Sequence, residues 1–236
     1  MAPLALVTGA AHRLGNVFAL ALARQGFDIV LHYHQSSEAA LQTQAEIESL
    51  GRRVILAQAD LTDPAQIQSL VSTQSVQSLS ILVNSAAFMP AGNVDELTLE
   101  NWDTALDLNL RAPFLLARGC EAKMVEGGLI VNITDVGAQK AWSRYPSYTV
   151  SKAALESLTR ILARAFAPKI RVNAIAPGFV LQSEIVPDEE WQRLVNRIPL
   201  KRPARTEELA SALEFLWKNE YITGQTIVVD GGYSLV

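Results

Sequence analysis

The chain has 236 residues, 49% hydrophobic and 19% charged, with a net charge of −4. That length suits one globular domain burying about 70% of the surface its unfolded chain exposes, and so mild an acidity leaves no electrostatic footprint for a nucleic acid. Cys120 is the sole cysteine, which excludes an internal disulfide and sets a reducing compartment as the expectation. The amino terminus, Met-Ala-Pro-Leu-Ala-Leu-Val, lacks the basic region of a signal peptide. No apolar run approaches the ~20 residues of a membrane span, so a cytoplasmic protein without a membrane partner is expected.

In chain order, short apolar runs fall at 4–7, 29–31, 54–57, 81–83, 129–133, 170–175 and 226–229, with helical periodicity between them. Leu14, Val17, Phe18, Ala21 and Leu22 form an i, i+3, i+4, i+7, i+8 stripe. Asp63-Pro64-Ala65-Gln66 reads as an N-cap, a first-turn proline and a capping-box glutamine. Alternating near-continuous apolar strands with helices predicts an α/β, single-domain, doubly wound (Rossmann) fold over residues 1–236, its seven-stranded parallel sheet covered on both faces. The one long irregular stretch is 178–206, to which the sequence gives no fixed structure.

Ligands of such sheets bind beyond the carboxyl ends of the strands, so the loops there carry the candidate chemistry. After strand one, Thr8-Gly9-Ala10-Ala11-His12-Arg13-Leu14-Gly15 offers small residues and a helix amino terminus to a pyrophosphate. A bare tight turn would need one glycine, not this string. Strand two runs out through His32-Tyr33-His34-Gln35-Ser36 without the acidic residue that commonly holds a ribose 2′-hydroxyl. Arg13, His34, Ser36 and His12 instead form a cationic, hydroxyl-bearing pocket suited to NADP(H). His32 and His34 without a nearby cysteine or carboxylate make a poor metal set, so no metal is expected.

Further along, Asp60-Leu61 and Asn84-Ser85-Ala86-Ala87 fall where an adenine and its ribose would lie, and either could be ordinary loop chemistry. Asn109 is an amide inside an apolar helical pattern. It reads as a kink residue beside Pro113, as a holder of water near Lys152, or as both. Within 135–152, Tyr148 and Lys152 are four residues apart, so a helix over 147–165 projects both from one face. A fixed cation beside a phenol is expected to lower its pKa towards the working range, as a general acid or base requires. Alone, the pair would equally describe two solvated helix residues; its company gives it weight.

Taken together, Thr8-Gly9 to Gly15, Asp60-Leu61, Asn84 to Ala87, Asn109, Tyr148 to Lys152, Pro177-Gly178, Thr223-Gly224-Gln225 and Asp230-Gly231-Gly232 resemble the short-chain dehydrogenase/reductase family over the whole chain. The resemblance implies catalytic roles for Asn109, Tyr148 and Lys152, with Lys152 also on the nicotinamide ribose, and a homotetramer. Arg13 replaces a usual glycine, and Asp135 lies thirteen residues before Tyr148, where the family places a serine. Both departures are similar to the pteridine reductase and dihydromonapterin reductase branch, which implies NADPH-dependent reduction of C=N bonds in pterins or folates.

The residue chemistry agrees with that implication. A carbonyl needs a neutral hydroxyl donor, whereas a carboxylate can accept from a pterin's ring N–H and amino groups or relay a proton. Ser143 and Ser147, five and one residues from Tyr148, have the wrong offset to replace Asp135. Phe88, or Met89 one register on, is expected to stack on the heterocycle, with Trp142, Phe179 and Val180 completing the wall and 178–206 closing over it. The branch commonly has lysine at His12 and arginine at Gln35. A modest NADPH preference, weakening as pH rises through the histidine range near ~6.5, is therefore expected. A carbonyl reductase of the 3-oxoacyl or sugar type and a non-catalytic dinucleotide-sensing module are the alternatives.

Overall fold

All seven apolar runs become parallel strands in the computed structural model, which describes residues 2–73, 76–183 and 186–236. They are β1 (Leu4–Val7), β2 (Asp28–Tyr33), β3 (Val54–Gln58), β4 (Leu79–Asn84), β5 (Met124–Ile133), β6 (Ile170–Pro177) and β7 (Thr226–Val229). Their order across the sheet is β3-β2-β1-β4-β5-β6-β7. Successive side chains point to opposite faces. Ala5 and Val7 therefore join Phe18, Ile29, Leu31 and Leu213 in one core, while Leu4 and Leu6 join Val30, Leu82, Leu116 and Val172 in the other. Because the order reverses between β1 and β4, the loops leaving those two strands diverge and open a crevice at the sheet's carboxyl edge.

Helices cover both faces: α1 (Arg13–Arg24), α2 (Ser37–Ser49), α3 (Pro64–Ser72), α4 (Leu99–Leu106), α5 (Ala112–Cys120), α6 (Gly137–Lys140), α7 (Pro146–Phe166), α8 (Asp188–Arg197) and α9 (Thr206–Lys218). At the start of α3 the Asp63 carboxylate accepts from the Ala65 amide, as the sequence predicts. Gln66, however, takes the Asp60 amide at 2.8 Å, tying the helix to the loop after β3. Between α4 and α5 a π-helical turn spans Asp107–Arg111. Pro113 has no N–H to give the Asn109 carbonyl, so the ladder breaks where the kink was expected.

Segment 178–206 is more ordered than its composition suggests. Residues 184 and 185 lie outside the described residues, but α8 occupies much of the remainder. Trp191, Leu194, Val195 and Ile198 repeat at i, i+3, i+4 and i+7, a helical stripe that buries Val195 and Ile198. The expectation of an irregular stretch is corrected on that ground. Among the described residues no helix is long and apolar enough to cross a membrane.

Candidate active site

Thr8, at the end of β1, holds the crevice open by joining its two lips. Its Oγ1 accepts from the Ser85 and Ala86 amides at 2.9 and 3.1 Å. Gly9 follows at φ +63°, where a side chain would also press within 3.0 Å of the Ala86 Cα. A Cβ on Gly15 would stand 2.0 Å from the Gly9 carbonyl, so the first turn of α1 can pack on the loop only as glycine. No side chain caps that turn and no acidic residue lies in it. Its amides and positive dipole end thus remain free for an anion, and Gly9, His12, Arg13 and Leu14 all line the cavity above.

His32 lines the cavity too, with its ring nitrogens engaged by backbone. It is buried, and its Nδ1 accepts from the Gly9 amide at 3.1 Å while Nε2 faces the Ala59 carbonyl at 3.0 Å. The ring is a strut between the loops after β1 and β3, working through Gly9. Burial pushes its pKa down to about 4, which keeps Nδ1 an acceptor at neutral pH. Asn84 is likewise turned inward, donating to the Asn132 amide oxygen at 2.8 Å, and is a ladder residue rather than part of the cavity wall. His34, Ser36, Asp60, Leu61, Ser85, Ala86, Pro177 and Gly178 do line the cavity. Arg13 crosses it: its guanidinium donates to the Leu181 and Gln182 carbonyls, at 3.0 and 3.4 Å, instead of standing free beside Ser36.

Asp135 follows β5, and α7 brings Tyr148 to it. The phenol donates to the Asp135 carboxylate at 2.8 Å, while the other carboxylate oxygen accepts from the Gly137 amide at 2.7 Å. Lys152, one turn on, donates to the Ile133 carbonyl at 2.6 Å and lies 5.5 Å from the phenol ring centroid. Burial raises the Asp135 pKa to about 6 against the opposing pull of its hydrogen bonds and of Lys152. Burial also lowers Lys152 to about 8. The phenol moves opposite to expectation: burial and then the adjoining carboxylate raise it well above its ordinary value. The groups brought towards the working range are the carboxyl and the ammonium, not the phenol.

Asn109 does not reach the cavity. Its side chain clamps the backbone of Phe88, accepting from the amide and donating to the carbonyl, both at 2.8 Å, and donates to Ser151 Oγ at 3.0 Å. It is a positioning residue, and what it positions is Phe88. Phe88, Met89, Trp142, Phe179 and Val180 all line the cavity, whose volume is about 1050 Å³. That volume is at the top of the range for small-molecule sites. Arg144, Glu190, Trp191, Arg197 and Tyr233 line it too and were not anticipated. The stripe of α8 is the sequence signal that could have found Trp191. Among the described residues no cluster of three or more His, Cys, Asp or Glu side chains could hold a metal ion.

Residues 9–234 match the family described as Enoyl-(Acyl carrier protein) reductase. A 3-oxoacyl-[acyl-carrier-protein] reductase from Synechocystis sp. is 34% identical over 239 residues, covering 98% of this chain and 96% of that protein. A 1-cyclohexenylcarbonyl-CoA reductase from Streptomyces collinus is 35% identical over 245 residues, covering 98% and 86%. Among solved structures, FolM Alternative dihydrofolate reductase 1 from Brucella canis complexed with NADP superposes with a TM-score of 0.92 at 34% identity, covering 99% of this chain and 94% of that one. The chain belongs to the short-chain dehydrogenase/reductase family and is an oxidoreductase.

Proposed function

We propose that the chain is an NADPH-dependent reductase that transfers hydride to a C=N bond of a pterin or folate, with Asp135, Tyr148 and Lys152 as its catalytic residues. The observation that carries this reading is the Asp135 carboxyl at 2.8 Å from the Tyr148 hydroxyl, where a carbonyl reductase would set a neutral hydroxyl. The name of the Brucella canis structure, a dihydrofolate reductase complexed with NADP, supports both the substrate class and the cofactor. The glycine-bounded loop and uncapped α1 terminus suit a pyrophosphate, and Arg13, His12, His34 and Ser36 suit a 2′-phosphate. When bound, the reduced nicotinamide supplies the hydride.

The chain's own residues handle the proton. Tyr148 gives its hydroxyl proton to the ring nitrogen. Protonated Asp135, within hydrogen-bond reach, refills the phenol, and the Lys152 ammonium stabilises the phenolate in between. When Asp135 is ionised the phenol proton is tied to the carboxylate instead, so the protonated carboxyl is the productive form. Asn109 sets Phe88 as one wall, opposite the nicotinamide, and 178–206 closes over the substrate. Exposed Phe114 on α5 and Val150 and Ile161 on α7 support a homotetramer built through neighbouring helices.

The Synechocystis relative favours a second reading, reduction of a 3-oxoacyl thioester. An ionised Asp135 would repel a developing alkoxide, whereas the protonated carboxyl is a neutral donor that a carbonyl could also use, so the substrate comparison decides between the two. Mixing the enzyme and NADPH with dihydrobiopterin, dihydrofolate and an acetoacetyl thioester, and following the absorbance at 340 nm, separates the readings. Turnover of a pterin is expected, and Tyr148→Phe abolishes it. Turnover of the thioester alone would leave a carbonyl reductase. No turnover of any of them would leave a dinucleotide-binding module. In the same assay the preference for NADPH over NADH is expected to be modest, and an absolute requirement for NADPH contradicts that assignment.

A further inference from the structure

Three arginines line the cavity, and two have internal partners. Arg13 donates to the Leu181 and Gln182 carbonyls beside the proposed 2′-phosphate pocket, and Arg144 faces Glu190 at 3.7 Å. Arg197, in the last turn of α8, has neither. Among the described residues it has no carboxylate partner, and its guanidinium carbon lies 6.0 Å from the Tyr233 ring centroid. A cation held on an aromatic face at a cavity wall is oriented without being neutralised. Between Arg197 and the proposed ring site the wall is aromatic: Tyr233 meets Phe179 edge-on at 4.8 Å, and Phe179 lies nearly parallel to Trp142 at 6.4 Å. The sequence of surfaces is thus ring site, aromatic wall, and a guanidinium with no carboxylate partner among the described residues.

We propose that Arg197 is a specificity-determining residue that binds a carboxylate at the far end of the substrate, so that the site prefers folates to pterins with neutral side chains. A folate carries an aminobenzoyl ring between its pterin and its terminal carboxylates, which matches the three surfaces in their order. A guanidinium pairs with carboxylates through a planar fork of donors, an arrangement a point charge on a flexible stem matches less well. The inference rests on the pterin or folate reading above.

The test is steady-state kinetics with dihydrofolate and dihydrobiopterin, for wild type, Arg197→Gln and Arg197→Lys. Because the guanidinium is exposed to water, the ratio of kcat/KM for dihydrofolate to that for dihydrobiopterin is expected to fall about fivefold to tenfold in Arg197→Gln. Arg197→Lys should recover part of it. A ratio that does not move overturns the proposal. A second measurement needs no turnover: titration of the enzyme with p-aminobenzoylglutamate, which lacks the pterin. Its binding should weaken in Arg197→Gln by a similar factor, and binding that ignores the substitution overturns the arginine's role. If neither pterin is reduced, the reductase reading falls and the folate preference with it, while the titration still reports separately whether Arg197 holds a carboxylate.

Discussion

A carboxyl group 2.8 Å from a buried phenol, with its pKa raised to about 6, makes a proton donor whose supply ends within the physiological range. Pterin reduction is therefore expected to be fastest below about pH 6 and to slow as the pH rises through that value, with Asp135→Asn losing the limb; a wild-type rate flat from pH 5 to 8 contradicts the assignment. The same shift bears on folding. The folded state binds the Asp135 proton more tightly than the unfolded chain does, so its contribution falls as the pH rises from about 4 to about 6. Asp135→Asn should accordingly be more stable than wild type at pH 7, by up to about 3 kcal/mol, and lose that advantage by pH 4, as urea midpoints would show. His32 has the opposite sign. Lowered to about 4, it withdraws stability as the pH falls from 6.5 through that value. Tyr148 and Lys152 were legible from their spacing together with the surrounding motifs, and Asp135 from its offset within the family resemblance, whereas the direction of the phenol's shift was not. It depends on burial and on the carboxylate's orientation, and a spacing encodes neither.

Arg171 on β6 shows what an element can demand of one side chain. Nearly buried, it donates to the carbonyls of Leu216, Trp217, Asn219 and Ile222, collecting the carboxyl end of α9 and the turn after it. Replacing it with methionine keeps the bulk and strands those carbonyls. A loss of about 2–4 kcal/mol in urea unfolding is expected, and a loss below about 0.5 kcal/mol would show that water satisfies them. Strands β1 to β7 were readable because each is an unbroken apolar run in a sheet covered on both sides. Helix α8 was hidden by its setting: its stripe of Trp191, Leu194, Val195 and Ile198 starts after Pro187 in a stretch whose prolines and acids read as loop. The Asn109 clamp on Phe88 was not legible, since it joins residues 21 apart in sequence.

For the whole molecule, the reversal of strand order between β1 and β4 puts the anion cradle, the Asp135–Tyr148 pair and the wall of α8 around one opening. Alternating strands and helices announce that arrangement in the sequence. The contribution of residues 190–197 to the cavity depends on a long-range fold-back that no local pattern states. The homotetramer we propose would cover the apolar side chains left exposed on α5 and α7: size-exclusion chromatography with light scattering should give four chains per particle, and a monomer would contradict it.

In the mechanism proposed here the carboxyl at Asp135 directs the chemistry to a C=N bond. The decisive measurement is kcat/KM for a dihydropterin and for an acetoacetyl thioester in wild type and Asp135→Ser. The ratio should favour the pterin in wild type and fall at least tenfold when serine restores a neutral hydroxyl, about 1.4 kcal/mol of transition-state discrimination. A ratio indifferent to that exchange, or a wild type that prefers the thioester, would contradict the account.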